Sequence, residues 1–239
     1  MIGSFISLGF GLVSAVAFMI VRDKEGSNLA LSLKMLSSVL FFATFMFAAS
    51  AGGFSDRVAM YVLAGFGFAF CIAGDFFLDF QVMRPDSRKL YLTIGMCLFA
   101  IAHVFFTTML FVTGFANPAW WIFVAAPLTT VVALVGGTFL MGCDFKGYIL
   151  VGSAYVTALL LTMFTALEMV VSRGTSVPLT FAVMFFVGAV LFAISDAILA
   201  LTLFGGKKSK FMIVINHATY YGGLFLMAIA FLWALPAVL

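Results

Sequence analysis

Short polar breaks divide the chain into eight apolar runs, each about as long as a helix needs to cross the hydrocarbon core of a bilayer, roughly 20 residues at a rise of about 1.5 Å. The runs cover approximately residues 3–21, 30–52, 57–80, 90–113, 119–140, 147–170, 178–203 and 211–236. Apolar residues follow one another without a two-residue alternation, which favours helices over barrel strands. The expected fold is therefore all-α, a polytopic transmembrane helix bundle of about eight spans in a single transmembrane domain covering residues 1–239. A water-soluble fold is excluded by composition, since 65% of the 239 residues are hydrophobic and 9% are charged, against about 25% charged in a soluble domain. The connections are only about four to nine residues long, so any activity must reside within the bundle.

Charge along the loops bears on orientation. Arg22, Lys24, Arg84, Arg88, Lys89, Lys146, Lys207, Lys208 and Lys210 fall on odd-numbered loops, Arg57 and Arg173 on even-numbered ones, and Lys34 within the second span. The positive-inside rule then places the odd loops in the cytoplasm and both termini on the opposite side. The formal net charge of +3 belongs to this pattern and does not indicate a nucleic-acid partner. Ala15-Val16-Ala17 imitates a signal-peptidase site, yet no Lys or Arg precedes it and the apolar run continues to Val21, so this segment reads as a first span. Cys71, Cys97 and Cys143 lack paired spacing, and the two histidines are far apart, so neither a disulfide framework nor a metal motif is indicated.

Ionisable residues inside spans need partners, protonation or a water-filled cavity. Asp75 and Asp79 lie in the third span, His103 in the fourth, Glu168 near the end of the sixth, Asp196 in the seventh and His217 in the eighth. With the orientation above, Asp75 and Asp196 share a level roughly 8–12 Å from the cytoplasmic edge. Lys34 and His217 enter that layer from neighbouring spans, with Tyr220 and Tyr221 about one turn deeper. Asp75 and Asp79, four residues apart, share one helical face. Two such carboxylates do not both ionise cheaply in a low dielectric unless a cation compensates, and an acid beside a carboxylate suits proton-transfer chemistry. A structural pair of Asp79 with Lys34 is the competing reading, and Glu168 reads as a solvated charge near Arg173. Glycines 65, 67, 74, 188, 222 and 223 are expected to serve close helix packing.

Several motifs on these spans occur together in one order. Gly74-Asp75-x-x-Leu78 is followed by Gly95 to Ala102-His103, then by Val187-Gly188-x-x-Leu191-Phe192-x-x-Ser195-Asp196-x-x-Leu199-Ala200-x-x-x-Phe204, and finally by Tyr220-Tyr221. In this the chain resembles the YhhN-like lysoplasmalogenase family of multispan membrane proteins, with the Ser-Asp block the most specific piece and the first 30 residues alike only in hydrophobicity. Met35 after Lys34, Gly222-Gly223 after the tyrosines, and Phe106 after the histidine depart from the family's pattern at positions expected to meet substrate. The resemblance implies hydrolysis of the vinyl ether of a lysophospholipid to a fatty aldehyde and a glycerophospho-headgroup. Asp75 and Asp196 would form the acid and carboxylate pair, and Lys34 or Asp79 would tune them. His103, His217, Tyr220 and Tyr221 would position water or headgroup. The implied chemistry needs no metal or organic cofactor, its partners are the lysophospholipid and membrane lipids, and it would face the cytoplasmic leaflet. A proton-coupled transporter or channel using the same acidic layer is the alternative; it predicts water access from both faces and broken helices, for which Pro127 is the main internal candidate.

Overall fold

Eight long helices account for most of the computed structural model, which describes residues 1–22, 27–54, 57–112, 119–172, 178–207 and 209–234. They are α1 (Ile2–Val21), α2 (Asn28–Ala51), α3 (Val58–Met83), α4 (Arg88–Val112), α5 (Trp120–Phe139), α6 (Ile149–Val171), α7 (Leu179–Leu203) and α8 (Lys210–Ala230). All eight are long and apolar enough to span a membrane, and no strand occurs among the described residues. Lys24, Arg173 and Lys208 of the charge pattern, Thr113 at the end of the fourth expected span and the last two residues of the eighth lie outside the described residues.

Two boundaries move for reasons of local chemistry. The third span continues three residues beyond its expected end, to Met83. Its polar residues Asp79 and Gln81 are buried, so they mark an inward face rather than the membrane surface. The helix stops where Arg84 precedes Pro85 and takes an extended backbone, φ −127° and ψ 75°, as the proline ring disfavours helical geometry in the residue before it. At the other end, α8 tightens into a 3-10 turn over Phe231–Trp233. Pro127 does not interrupt α5, which runs through it unbroken.

In chain order, α1 packs on α2, α2 on α3, and α3 on α4; α4 then meets α6, α6 meets α7, and α7 meets α8, which closes onto α1 and α2. Among the described residues α5 packs substantially against α6 only. With hydrocarbon outside and inside, close approach and interhelical hydrogen bonds replace the hydrophobic effect as the adhesive. Ser7 and Thr44 join α1 to α2 at 3.0 Å, and Thr130 and Thr157 join α5 to α6 at 3.0 Å. Glycines admit neighbouring elements directly: a methyl group on Gly67 would meet the Phe106 ring at 2.5 Å and one on Gly74 the Phe99 ring at 2.7 Å. Gly188 of α7 and Gly223 of α8 face each other's backbone, each added Cβ meeting the other's carbonyl oxygen at 2.7 and 2.6 Å. Gly65 and Gly222, expected to do the same, have their nearest neighbours at 3.5 and 3.9 Å and are not needed for close approach.

The two ends of the bundle differ. At the end of the even loops, Phe231 lies with its ring centroid 4.9 Å from Phe45, 5.3 Å from Phe181 and 6.3 Å from both Phe68 and Phe185. These buried rings close the bundle. At the end of the odd loops the helices part around a chamber.

Candidate active site

The chamber has a volume of about 510 Å³ and draws its walls from the last turns of α1, α3 and α7 and the first turns of α2, α4 and α8. These six helix ends meet because an antiparallel bundle returns each even loop to the opposite side. Into the chamber the sequence sends ionisable side chains, among them Arg22, Lys34, Asp75, Asp79, Asp196 and His217.

Lys34 sits at the centre of an ion cluster. Its Nζ is 3.3 Å from Asp75 Oδ1 and 3.4 Å from Asp79 Oδ1, and it also donates to the Asp75 backbone carbonyl at 3.3 Å. Ser38, one helical turn on, donates to Asp75 Oδ2 at 2.6 Å. Arg22, expected only as an orientation charge at the end of the first span, reaches back so that Nη1 lies 2.6 Å from Asp79 Oδ1. The structural pairing of Lys34 with Asp79 and the pairing with Asp75 therefore coexist. Asp79 Oδ2 is buried and accepts no hydrogen bond among the described residues.

Asp196 stands on another wall, in a different setting. The Tyr155 hydroxyl donates to its Oδ2, and among the described residues neither an ion pair nor a hydrogen bond is made to Oδ1. Its neighbour Ser195 is fixed by Asn216 of α8, whose Nδ2 donates to the Ser195 carbonyl at 2.6 Å and to its hydroxyl at 2.9 Å. The register of α7, and hence the aim of Asp196, is thus tied to α8. Tyr220 lines the chamber, where Asp75 also stands, and its buried hydroxyl has no geometric hydrogen-bond partner among the described residues. His217 also lines it, its ring edge-on to Phe18 at 4.8 Å.

Two expected site residues stand behind the wall. His103 of α4 is buried against α6, with Nδ1 3.2 Å from Thr162 Oγ1 and Nε2 without a hydrogen-bond partner among the described residues, and it does not line the chamber. It touches the site through Tyr155, ring to ring at 6.2 Å. The Tyr221 hydroxyl donates to the Lys34 carbonyl at 3.3 Å and so braces α2 against α8. Conversely, Tyr155, Ser38, Asn216, Arg22 and Arg88 belong to the site although sequence reasoning did not select them; only Tyr155, a phenol in an apolar stretch of α6, left a visible signal. Glu168 at the far end is half-buried and accepts from Trp121 Nε1 at 3.0 Å; Arg173, expected near it, lies outside the described residues. Among the described residues no three His, Cys, Asp or Glu side chains converge as metal ligands.

An apolar cavity of about 460 Å³ lies beside the chamber, among α4, α5, α6 and α7. Asp196, Leu78, Phe99, Leu199 and Leu203 line both spaces. An ionisable group thus marks the boundary between a polar and an apolar compartment. Fold and site define an integral, multi-pass membrane protein with an acidic chamber at one end of its bundle. The chain belongs to the YhhN family, the lysoplasmalogenase family, which it matches over residues 29–231. Comparison with curated proteins and with solved structures finds no match.

Proposed function

We propose that the protein hydrolyses the vinyl ether bond of lysoplasmalogens, with Asp196 as proton donor and Asp75 as the carboxylate that activates water. The observation that carries this reading is the unlike setting of two carboxyl groups on one chamber. Lys34 and Ser38 balance Asp75 as an anion. Asp196 has a phenol and no cation, and in a lipid-embedded site a carboxyl without a counter-charge is cheapest to keep neutral. With Oδ2 engaged by Tyr155, Oδ1 of Asp196 carries the transferable proton.

The proton goes to the alkene carbon remote from the ether oxygen, the π pair forming the new C–H bond. The oxygen lone pair stabilises the resulting oxocarbenium ion, and the Asp75 carboxylate supports that positive charge. Water adds to the carbon bearing the oxygen and releases a proton to Asp75. The hemiacetal then breaks its bond to the glycerol oxygen, which takes the proton held by Asp75, while the hemiacetal hydroxyl gives its proton back to Asp196, leaving a fatty aldehyde and a glycerophospho-headgroup with both carboxyl groups restored; the net reactant is one water. Arg88, whose Nε donates to the neutral Gln81 Oε1 at 3.3 Å, is placed at the chamber mouth to meet the phosphate. Positive-inside charge puts this mouth at the cytoplasmic leaflet.

Proton-coupled transport by the same layer fits less well. Its water path would have to cross the ring cluster around Phe231, and α5 is continuous through Pro127. The deciding experiment is aldehyde release from a lysoplasmalogen by the purified protein in detergent, with Asp75→Asn and Asp196→Asn variants of verified fold. Each variant should lose at least a hundredfold in rate, in the range general acid-base groups contribute. No aldehyde from the native chain across headgroups and chain lengths would overturn the proposal and favour transport assays in liposomes.

A further inference from the structure

The apolar cavity beside Asp196 is not accounted for by the chemistry of the chamber. Protein interiors hold few voids larger than a water molecule, and this one, at about 460 Å³, has the size of ligand pockets in general. Its lining is aliphatic and aromatic apart from Asp196, Cys143, Thr129 and two tyrosines. Leu140, Val132 and Met141 line it while remaining 83%, 62% and 46% exposed. The cavity therefore opens sideways, beside α5, onto what the bundle would meet as membrane hydrocarbon. Its other end meets the polar chamber at Asp196.

A compartment that is polar on one side of Asp196, apolar on the other and open to lipid has the outline of a single-chain amphiphile. We propose that the cavity among α4, α5, α6 and α7 is the subsite for one hydrocarbon chain of a lysophospholipid, admitted laterally beside α5. This rests on the hydrolase reading above and deepens it, because it sets the scissile bond where chain becomes headgroup, at Asp196. It also assigns a role to α5, which packs substantially against α6 only among the described residues. Two glycines keep the space clear. A Cβ on Gly136 of α5 or Gly152 of α6 meets no atom within 4 Å, and both residues line the cavity. The Cβ of a larger residue at either position meets no neighbour, and the position borders the cavity.

The test uses a saturated 1-O-alkyl lysophosphocholine with a diazirine near the end of its chain, photolysed on the full-length protein in nanodiscs. This ether has no vinyl group, so its binding is read independently of turnover. Adducts should map to cavity residues of α5 and α6, such as Val132 and Val156. They should fall at least tenfold in Gly152→Phe and persist in Gly152→Ala. Gly136→Phe, from the facing helix, gives the same readout should Gly152→Phe fail to fold. In parallel, Gly152→Phe should raise KM for a long-chain lysoplasmalogen at least tenfold. Adducts spread over the outer lipid-facing surface, or cavity adducts unchanged by both Phe variants, would overturn the chain subsite even if aldehyde is released. Cavity adducts lost in the Phe variants, with no aldehyde from the native chain, would leave the chain subsite standing and sink the reaction.

Discussion

Lys34 carries an unusual burden for one side chain, since it is the ammonium shared by two buried carboxylates, and among the described residues a second cation, Arg22, pairs with Asp79 alone. Removing it leaves Asp75 buried with Ser38 as its remaining hydrogen-bond donor, and breaking a buried pair from one side typically costs about 3–5 kcal/mol. Lys34→Met should therefore lower the melting temperature sharply in detergent, and Lys34→Met combined with Asp75→Asn should recover much of the loss. A single variant as stable as the native chain would show that the cluster is not held by Lys34. In the proposed mechanism Tyr155 acts through Asp196. Tyr155→Phe deletes a hydrogen bond that becomes charge-assisted as Asp196 gives up its proton, where it is worth about 1.5–3 kcal/mol, so kcat should drop roughly 10- to 100-fold with KM little changed. An unaltered kcat would remove Tyr155 from the mechanism. The acids, Lys34 and His217 were legible in the sequence because a charge in an apolar run is conspicuous and must have a reason. Arg22, Ser38 and Asn216 were not, because a loop arginine and small polar helix residues are ordinary until packing shows what they face. His103 and Tyr221 show the converse. A polar group in an apolar run announces a partner, here Thr162 and the Lys34 carbonyl, but does not say on which side of the cavity wall that partner stands.

Among the helices, α7 and α8 set the site because they supply Asp196, Ser195, Asn216 and His217 and because their crossing is so close. Gly188 and Gly223 each approach the other's carbonyl within what would be 2.7 and 2.6 Å of an added Cβ. Backbone cannot retreat as a flexible side chain can, so Gly188→Ala and Gly223→Ala should each destabilise the protein by about 1–3 kcal/mol. Gly222→Ala, with its nearest neighbour at 3.9 Å, should be neutral. Differential scanning fluorimetry in one detergent would separate the three, and equal stabilities would refute the crossing. Gly188 precedes Ser195 by seven residues, two helical turns on the same face, so a displaced crossing should also loosen the clamp of Asn216 on Ser195 and reduce activity. The helices themselves were readable from run length. Their ends are less so, since a polar residue commonly marks the membrane boundary and in α3 Asp79 and Gln81 mark the chamber face instead. The tertiary order, with α5 set outside α6, leaves no trace in hydropathy because lipid-facing and helix-facing surfaces are equally apolar.

On the scale of the bundle, the decisive asymmetry is axial. The cluster of Phe45, Phe68, Phe181, Phe185 and Phe231 fills one end, while Arg22, Lys34 and Arg88 line the chamber at the other. On the proposed function a charged headgroup would enter from the chamber's end of the bundle, and the membrane face at that end would decide which lipid pool the protein serves. The excess of Lys and Arg on the odd loops predicts the cytoplasmic face. Against a background with Cys71, Cys97 and Cys143 replaced by Ala, Ser50→Cys lies at the even-loop end and Lys146→Cys at the odd-loop end, and both native side chains are exposed. An impermeant maleimide applied to intact cells should label Ser50→Cys at once and Lys146→Cys only after permeabilisation. In that arrangement the headgroup is released into the cytoplasm, and the aldehyde, still an apolar chain, leaves sideways into the inner leaflet. The opposite labelling pattern would turn the chamber outward. The same carboxyl pair would then act on lipids of the outer leaflet, and the positive charges of the odd loops would need another explanation, for which headgroup binding at the chamber mouth is the first to examine.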